Sequence, residues 1–166
     1  MVKNSWNDGF IPVIDEKSII LILGSFPSVK SREIGFYYGN PQNRFWKTIE
    51  KATGEVVPSA IEDKKKYLSN HKIALWDVYE SSAIVGSSDA ALNENTGKTG
   101  DLNGLLASFP NIKAVLCNGK KSFSVASSTI NTGIPCLCLT STSPANPRFN
   151  EEQWINTLRK FLFNEE

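Results

Sequence analysis

Residues 36–46 read Phe-Tyr-Tyr-Gly-Asn-Pro-Gln-Asn-Arg-Phe-Trp. Three consecutive aromatics are followed by a glycine, a proline and three amides, and then by the first apolar residues of a helical pattern. Flat faces and amides together in one loop suit the gripping of a planar heterocycle. An aromatic face under a base is worth about 1–3 kcal/mol, and an amide offers a donor and an acceptor in one plane. Three aromatics beside Gly39-Asn40-Pro41 cannot all face a core, so at least one is expected at a site, with Tyr38 or Phe36 as its floor. Asn43, at the mouth of the helix, has two available roles: aligning a water through its carbonyl oxygen, or capping the helix.

Other chemistry-bearing residues follow apolar runs. Residues 19–23 lead into Gly24-Ser25-Phe26-Pro27-Ser28, and the run 73–78 carries Asp77. Residues 112–117 lead into Asn118-Gly119-Lys120, and 134–139 into Thr140-Ser141-Thr142-Ser143-Pro144-Ala145-Asn146-Pro147-Arg148. A carboxylate such as Asp77 can accept a ring N–H or cap a turn. Asn118 can address a ring edge or make an Asn-Gly turn. The Ser/Thr loop can hold phosphates through hydroxyls and backbone N–H groups, or be an ordinary loop.

These residues need strands and helices to position them. The four apolar runs predict strands. Helical signals occupy 43–53 with Gly54 as the stop, 59–70, 102–109 with Asp101 as N-cap and Pro110 after it, 119–131 and 150–163. Strands alternating with helices, the strands being continuously apolar, predict one α/β domain over residues 1–166. It is a three-layer α/β/α sandwich with a central four-stranded parallel sheet. Ligands of such sheets bind at the carboxyl ends of the strands, where the polar segments above all lie. The polar stretch 81–100 is long for a connector, and loops of that length are often functional or mobile.

Composition narrows the class further. A net charge of +1 across 166 residues disfavours a strong non-specific polyanion binder. It leaves room for a local basic face from Lys30, Arg32, Arg44, Lys47, Lys120, Lys121 and Arg148. No apolar run has membrane-spanning length and no signal-peptide pattern opens the chain, so a cytoplasmic protein is expected. Cys117, Cys136 and Cys138 lie in apolar runs and read as buried free thiols. Cys136 and Cys138 are expected to diverge across their strand, and His71 is the one histidine. No metal or other cofactor is expected, and His71 is read as structural. Neither Gly-x-Gly-x-x-Gly nor a Walker loop follows the first strand, which lowers a nucleotide-enzyme reading.

With these segments in order, the chain resembles the uracil-DNA glycosylase superfamily. Residues 36–49 are similar to the stretch of mismatch-specific uracil/thymine-DNA glycosylases where Asn-x-Phe-Trp-Lys opens the first helix. Gly24-Ser25-Phe26-Pro27-Ser28 stands where those enzymes carry Gly-x-Asn-Pro-Gly. Ser141-Thr142-Ser143-Pro144-Ala145-Asn146 stands where they carry their DNA-inserting motif. Phe26 replaces the motif asparagine and Ser141 the histidine of some families, and the combination looks most like the hypoxanthine-DNA (deoxyinosine) glycosylase branch.

The resemblance implies a monofunctional, monomeric glycosylase of base excision repair that flips a deaminated base, foremost hypoxanthine, out of damaged DNA. It implies Asn43 as the catalytic amide. Gly24, Ser25, Phe26, Phe36, Tyr38, Asp77 and Asn118 would bind the base. Ser28, Ser141, Thr142, Ser143 and Asn146 would meet DNA, and Arg148 or Phe149 would fill the vacated gap. The alternatives are a uracil or mismatch glycosylase, and an inactive member that only binds nucleic acid or a nucleobase, the latter suggested by the missing motif asparagine.

Overall fold

A computed structural model describes residues 7–82 and 97–164. The first part contains β1 (Asn7–Asp8), β2 (Ile20–Gly24), α1 (Val29–Ile34), α2 (Phe45–Thr53), α3 (Ile61–Asn70), β3 (Ile73–Asp77) and β4 (Tyr79–Ser82). The second contains β5 (Gly97–Thr99), α4 (Leu102–Ser108), β6 (Ala114–Asn118), α5 (Lys120–Thr129), β7 (Cys136–Leu139) and α6 (Glu151–Phe163). The main sheet has the order β3-β2-β6-β7 and every pair is parallel. β2 and β3 are buried at every position, as continuous runs of Ile, Leu and Ala require when helices cover both faces. The result is the expected α/β/α sandwich.

The order of the strands locates the site. From β2 the chain moves to β3 on one side, then crosses to β6 and β7 on the other. The chain therefore winds outward in opposite directions on either side of the β2/β6 pair, and a crevice opens there beyond the strand ends. Gly24 pairs with Asp77 across β2–β3, and Asn118 ends β6. α2 and α6 pack together, burying Phe45, Ile49 and Ala52 of one beside Trp154 and Leu158 of the other.

Several elements depart from the sequence reading. α1 was not anticipated: six residues run between Ser28, whose Oγ accepts from the Ser31 N–H, and Gly35 at φ +91°. Glycine suits that left-handed stop. A second, antiparallel sheet of order β1-β4-β5 holds both ends of the stretch read as one long loop; residues 83–96 lie outside the described residues. Asp101 does cap α4, accepting from the Gly104 N–H, and Asn150 caps α6 through Gln153.

The thiols also need correction. Residues two apart on a strand share a face, so Cys136 and Cys138 do not diverge. Cys117 is buried, Cys136 half-buried and Cys138 exposed on the edge strand, and the Sγ atoms of Cys117 and Cys136 are 3.7 Å apart. Burial pushes all three thiols up. His71 ends α3 with Nε2 3.4 Å from Glu55, before β3 begins and at the end of the sheet away from the crevice. No helix of the described residues is long and apolar enough to cross a membrane.

Candidate active site

A cleft of about 590 Å³ opens at the carboxyl ends of β2, β3 and β6. One wall is the segment 37–43, which leads into α2; the other is the segment 141–147, which follows β7. Gly24, Ser25, Phe26, Asp77 and Asn118 line the floor between them.

The aromatic triplet divides sharply. Phe36 is 4% exposed and absent from the cleft; it lies parallel to Trp46, with centroids 6.1 Å apart. It belongs to the core, which corrects its expected role as a floor. Tyr37 touches the cleft but is buried, and its hydroxyl donates to the Ile11 carbonyl at 2.8 Å. Burial first, then the charge of Asp77 and the Tyr38 phenol, push its pKa far up, so it stays neutral. Tyr38 is the half-buried member facing the cleft.

Its placement is unusual. Tyr38 has φ +52°, a left-handed conformation that costs a bulky residue roughly 1–3 kcal/mol. The ring stacks on Phe45 with centroids 3.9 Å apart and planes 20° from parallel. The next residue is fixed as well: the Gly39 N–H donates to buried Ser31 Oγ at 2.8 Å. A Cβ at Gly39 would approach the Ser31 Cα to 3.1 Å, so no side chain fits there without displacement.

Asn43 stands one residue before the N-cap of α2, which is Arg44 and makes no side-chain cap bond, so the expected capping role is corrected to an Asx turn at the helix mouth. Its Oδ1 accepts from the Phe45 N–H at 2.9 Å, and its backbone N–H donates to the Asn40 carbonyl at 2.9 Å. The turn takes one lone pair of Oδ1; a carbonyl oxygen has two. The half-buried side chain lines the cleft. Asp77 lines the same cleft and is 5% exposed. A Cβ on Gly24 would meet Asp77 Oδ1 at 2.5 Å and the Tyr38 hydroxyl at 3.2 Å. Gly24 is thus the gap onto which a carboxylate and a phenol converge. Phe26 is buried, with the Arg32 guanidinium 5.6 Å from its ring centroid.

The opposite wall uses its polar groups differently. Asn118 Nδ2 donates to Thr142 Oγ1 at 3.0 Å, and Asn118 Oδ1 accepts from the Thr142 N–H at 2.9 Å. The amide expected to read a base is tied to the loop by both of its groups, and Thr142, 1% exposed, lines the cleft as its partner in that clamp. Ser141 Oγ accepts from the Ser143 N–H and Ser143 Oγ from the Ala145 N–H. Asn146 donates to the Ser141 carbonyl and accepts from the Arg148 N–H. Ser28, expected at DNA, spends its hydroxyl on α1, accepting from the Ser31 N–H and donating to Ser31 Oγ.

Two further expectations change. Phe149 is half-buried against the core beneath the Arg44 guanidinium, 4.5 Å from the ring centroid, so it does not stand free as a wedge. Arg148 is exposed and outside the cleft. Exposed Pro144, Ala145 and Pro147 occupy the rim instead. Sequence reasoning also missed Ser31 in the lining, because α1 left no periodic signal, whereas Asn40 and Tyr37 stood in the segment already singled out.

No protein-family model matches the chain. It is 37% identical over 155 residues to the hypoxanthine DNA glycosylase of Methanosarcina acetivorans, an alignment covering 91% of this chain and 97% of that one. The protein of the same name from Methanosarcina barkeri is 37% identical over 141 residues, covering 84% and 88%. A solution NMR structure from Methanosarcina acetivorans, provisionally assigned as a uracil DNA glycosylase, superposes with a TM-score of 0.82 at 35% identity. That match covers 94% of this chain and 98% of the other. Identity of this degree over nearly the whole of both chains, on the same sandwich, is a family relationship: the chain belongs to the hypoxanthine DNA glycosylases of the uracil-DNA glycosylase superfamily.

Proposed function

We propose that this protein hydrolyses the N-glycosidic bond of hypoxanthine in damaged DNA as a monofunctional base-excision-repair glycosylase. The observation that carries the reading is the convergence of a stacked tyrosine, a strand-end carboxylate and a helix-mouth amide in one cleft. Each answers a separate demand of the reaction.

A base inside a duplex must be extruded before its sugar bond can be reached. Tyr38, backed by Phe45, supplies a rigid face for the extruded ring. Asp77 accepts the N1–H of the hypoxanthine lactam. Adenine carries an acceptor at that position and leaves the carboxylate facing a lone pair, so the ring edge is read by hydrogen bonding. A carboxylate does not help the base to leave, because negative charge grows on the ring as the bond breaks; the role given to Asp77 is selection.

Departure is assisted elsewhere. Water adds to C1′ of the deoxyribose, the C1′–N9 bond breaks, and its electron pair leaves with the base, which then takes up a proton. Asn43 orients the water through the lone pair of Oδ1 that the Phe45 N–H does not occupy, and the positive end of α2 lies beside the growing anion. Water and an amide suffice for these steps, so the reading carries no metal or redox cofactor. It places the enzyme in the cytoplasm as a monomer.

Uracil also presents a lactam N–H, at N3, and the structural neighbour is provisionally assigned as a uracil DNA glycosylase. It is the second candidate substrate. The test is release of hypoxanthine, uracil or xanthine from labelled oligonucleotides, with abasic sites revealed by hot alkali. Hypoxanthine release that disappears in Asn43→Ala supports the proposal. Uracil release alone removes the selection assigned to Asp77. A folded protein that binds DNA but releases nothing supports the binding-only alternative.

A further inference from the structure

The two walls of the cleft meet at one side chain. Arg44 follows Asn43 directly, and its backbone N–H donates to the Thr142 carbonyl at 3.1 Å. Nη2 donates to two carbonyls of the opposite wall, those of Ser143 and of Asn146, the latter at 2.8 Å. The planar group lies over Phe149, 4.5 Å from the ring centroid. One guanidinium therefore grips the segment 143–149 at three places, while the residue before it lines the cleft as the proposed catalytic amide. An arginine that donates to two loop carbonyls and stacks on a ring is spent inside the protein, although the sequence reads it as part of a basic face.

We infer that Arg44 is a positioning residue for base extrusion, fixing the height of the 143–147 rim relative to Asn43. The inference rests on the glycosylase reading above. Holding a nucleotide out of a duplex requires a rim that stays in place while the vacated stack presses on it. A base in a single strand makes no such demand. Asn43 does not depend on the guanidinium, because its side chain is fixed by the Phe45 N–H and its backbone by the Asn40 carbonyl. Losing the guanidinium should therefore loosen the rim and leave the amide in place.

Arg44→Lys keeps the charge but loses the planar fork and the stacking surface. Single-turnover excision is compared on one hypoxanthine oligonucleotide, presented single-stranded and as a duplex. The duplex rate is expected to fall about 100-fold, the scale of a 1 Å misplacement, and the single-strand rate by less than about fivefold. Equal losses on both substrates overturn the inference. Because lysine also neutralises a phosphate, the salt dependence of duplex binding is read in Arg44→Gln and should match wild type; a salt slope reduced by about one there, the mark of a direct phosphate contact, overturns the inference too. If the lysine variant unfolds at the assay temperature, Phe149→Leu decides, since it removes the stacked ring and keeps both hydrogen bonds. It should lose about tenfold on the duplex only, and a loss without that selectivity overturns the inference. Wild-type protein inert on both substrates removes the glycosylase reading itself, a result separable from all of these.

Discussion

The segments 37–43 and 141–147 face each other across one cleft and are both rich in amides and hydroxyls, yet they are built in opposite ways. In the first, neighbouring elements hold the backbone, and side chains such as Tyr38 and Asn43 reach the cleft: Ser31 anchors Gly39, and the stack on Phe45 fixes the Tyr38 ring. In the second, the side chains hold the backbone. Asn118, Thr142, Ser143, Asn146 and Arg44 are tied to one another or to backbone N–H and carbonyl groups of the loop. A chemically capable residue reaches a ligand with whatever its loop does not use: Asn43 closes its own turn through the Phe45 N–H and keeps the second lone pair of Oδ1.

Breaking the first wall should cost chemistry and little stability. Asn43→Ala is expected to lower the excision rate by about 10²–10³-fold, the usual span for removing one preorganised polar group that acts on the transition state. Its effect on folding is the loss of a cap-like bond, about 0.5–2 kcal/mol. Single-turnover kinetics beside thermal melting separates the two numbers. A melt shift with an unchanged rate would return Asn43 to a purely structural role.

Tyr38→Ala comes next. Removing a stacking face costs roughly 1–3 kcal/mol of interaction with the base, about 5-fold to 160-fold in kcat/KM. Tyr38→Phe keeps the ring and should stay within a few-fold of wild type if stacking is what Tyr38 contributes. A large loss in the phenylalanine variant would move the role to the hydroxyl, which faces the Gly24 gap beside Asp77.

The second wall should respond in the reverse proportion. Asn118→Ala removes both bonds to Thr142 and leaves a buried Thr142 N–H without its acceptor, a cost of about 1–3 kcal/mol. The melting temperature should fall by several degrees. Excision from single strands should fall by less than it does in Asn43→Ala. If the rate collapses and the melt does not move, Asn118 reads the base after all and the contrast between the walls fails.

What could be read from the sequence follows the same division. The four strands of the parallel sheet were legible because burial on both faces demands unbroken apolar runs, and only four occur between helix signals. Asp101 was legible as a cap because an N-cap acts on backbone three residues away. The β1-β4-β5 sheet was not, since Tyr-Glu-Ser-Ser and Gly-Lys-Thr show no alternation and pair only through tertiary contacts. Within the site, Phe36 and Tyr38 differ by one hydroxyl, and a backbone torsion of +52° decides which of them faces the cleft. The direction of the Asn118 amide depends on Thr142, 24 residues away. Residue type announces capability, and the partner that consumes it lies elsewhere in the chain.

The smallest expected effect sharpens that point. Ser28 reads as a DNA contact from its place after the first strand, but its hydroxyl joins Ser31 at the start of α1. Ser31 in turn anchors the backbone next to Tyr38. Ser28→Ala should therefore lower stability by about 0.5–2 kcal/mol, as for other serine caps, and reduce excision only as far as Ser31 shifts. Since no phosphate contact would be lost, the affinity for DNA should match wild type. A serine that met a phosphate would instead weaken binding while leaving the melt unchanged, because the contact would exist only in the complex. Melting and binding of this one variant thus ask whether the strand-end serine serves the fold or the DNA, and the two hydrogen bonds to Ser31 favour the fold.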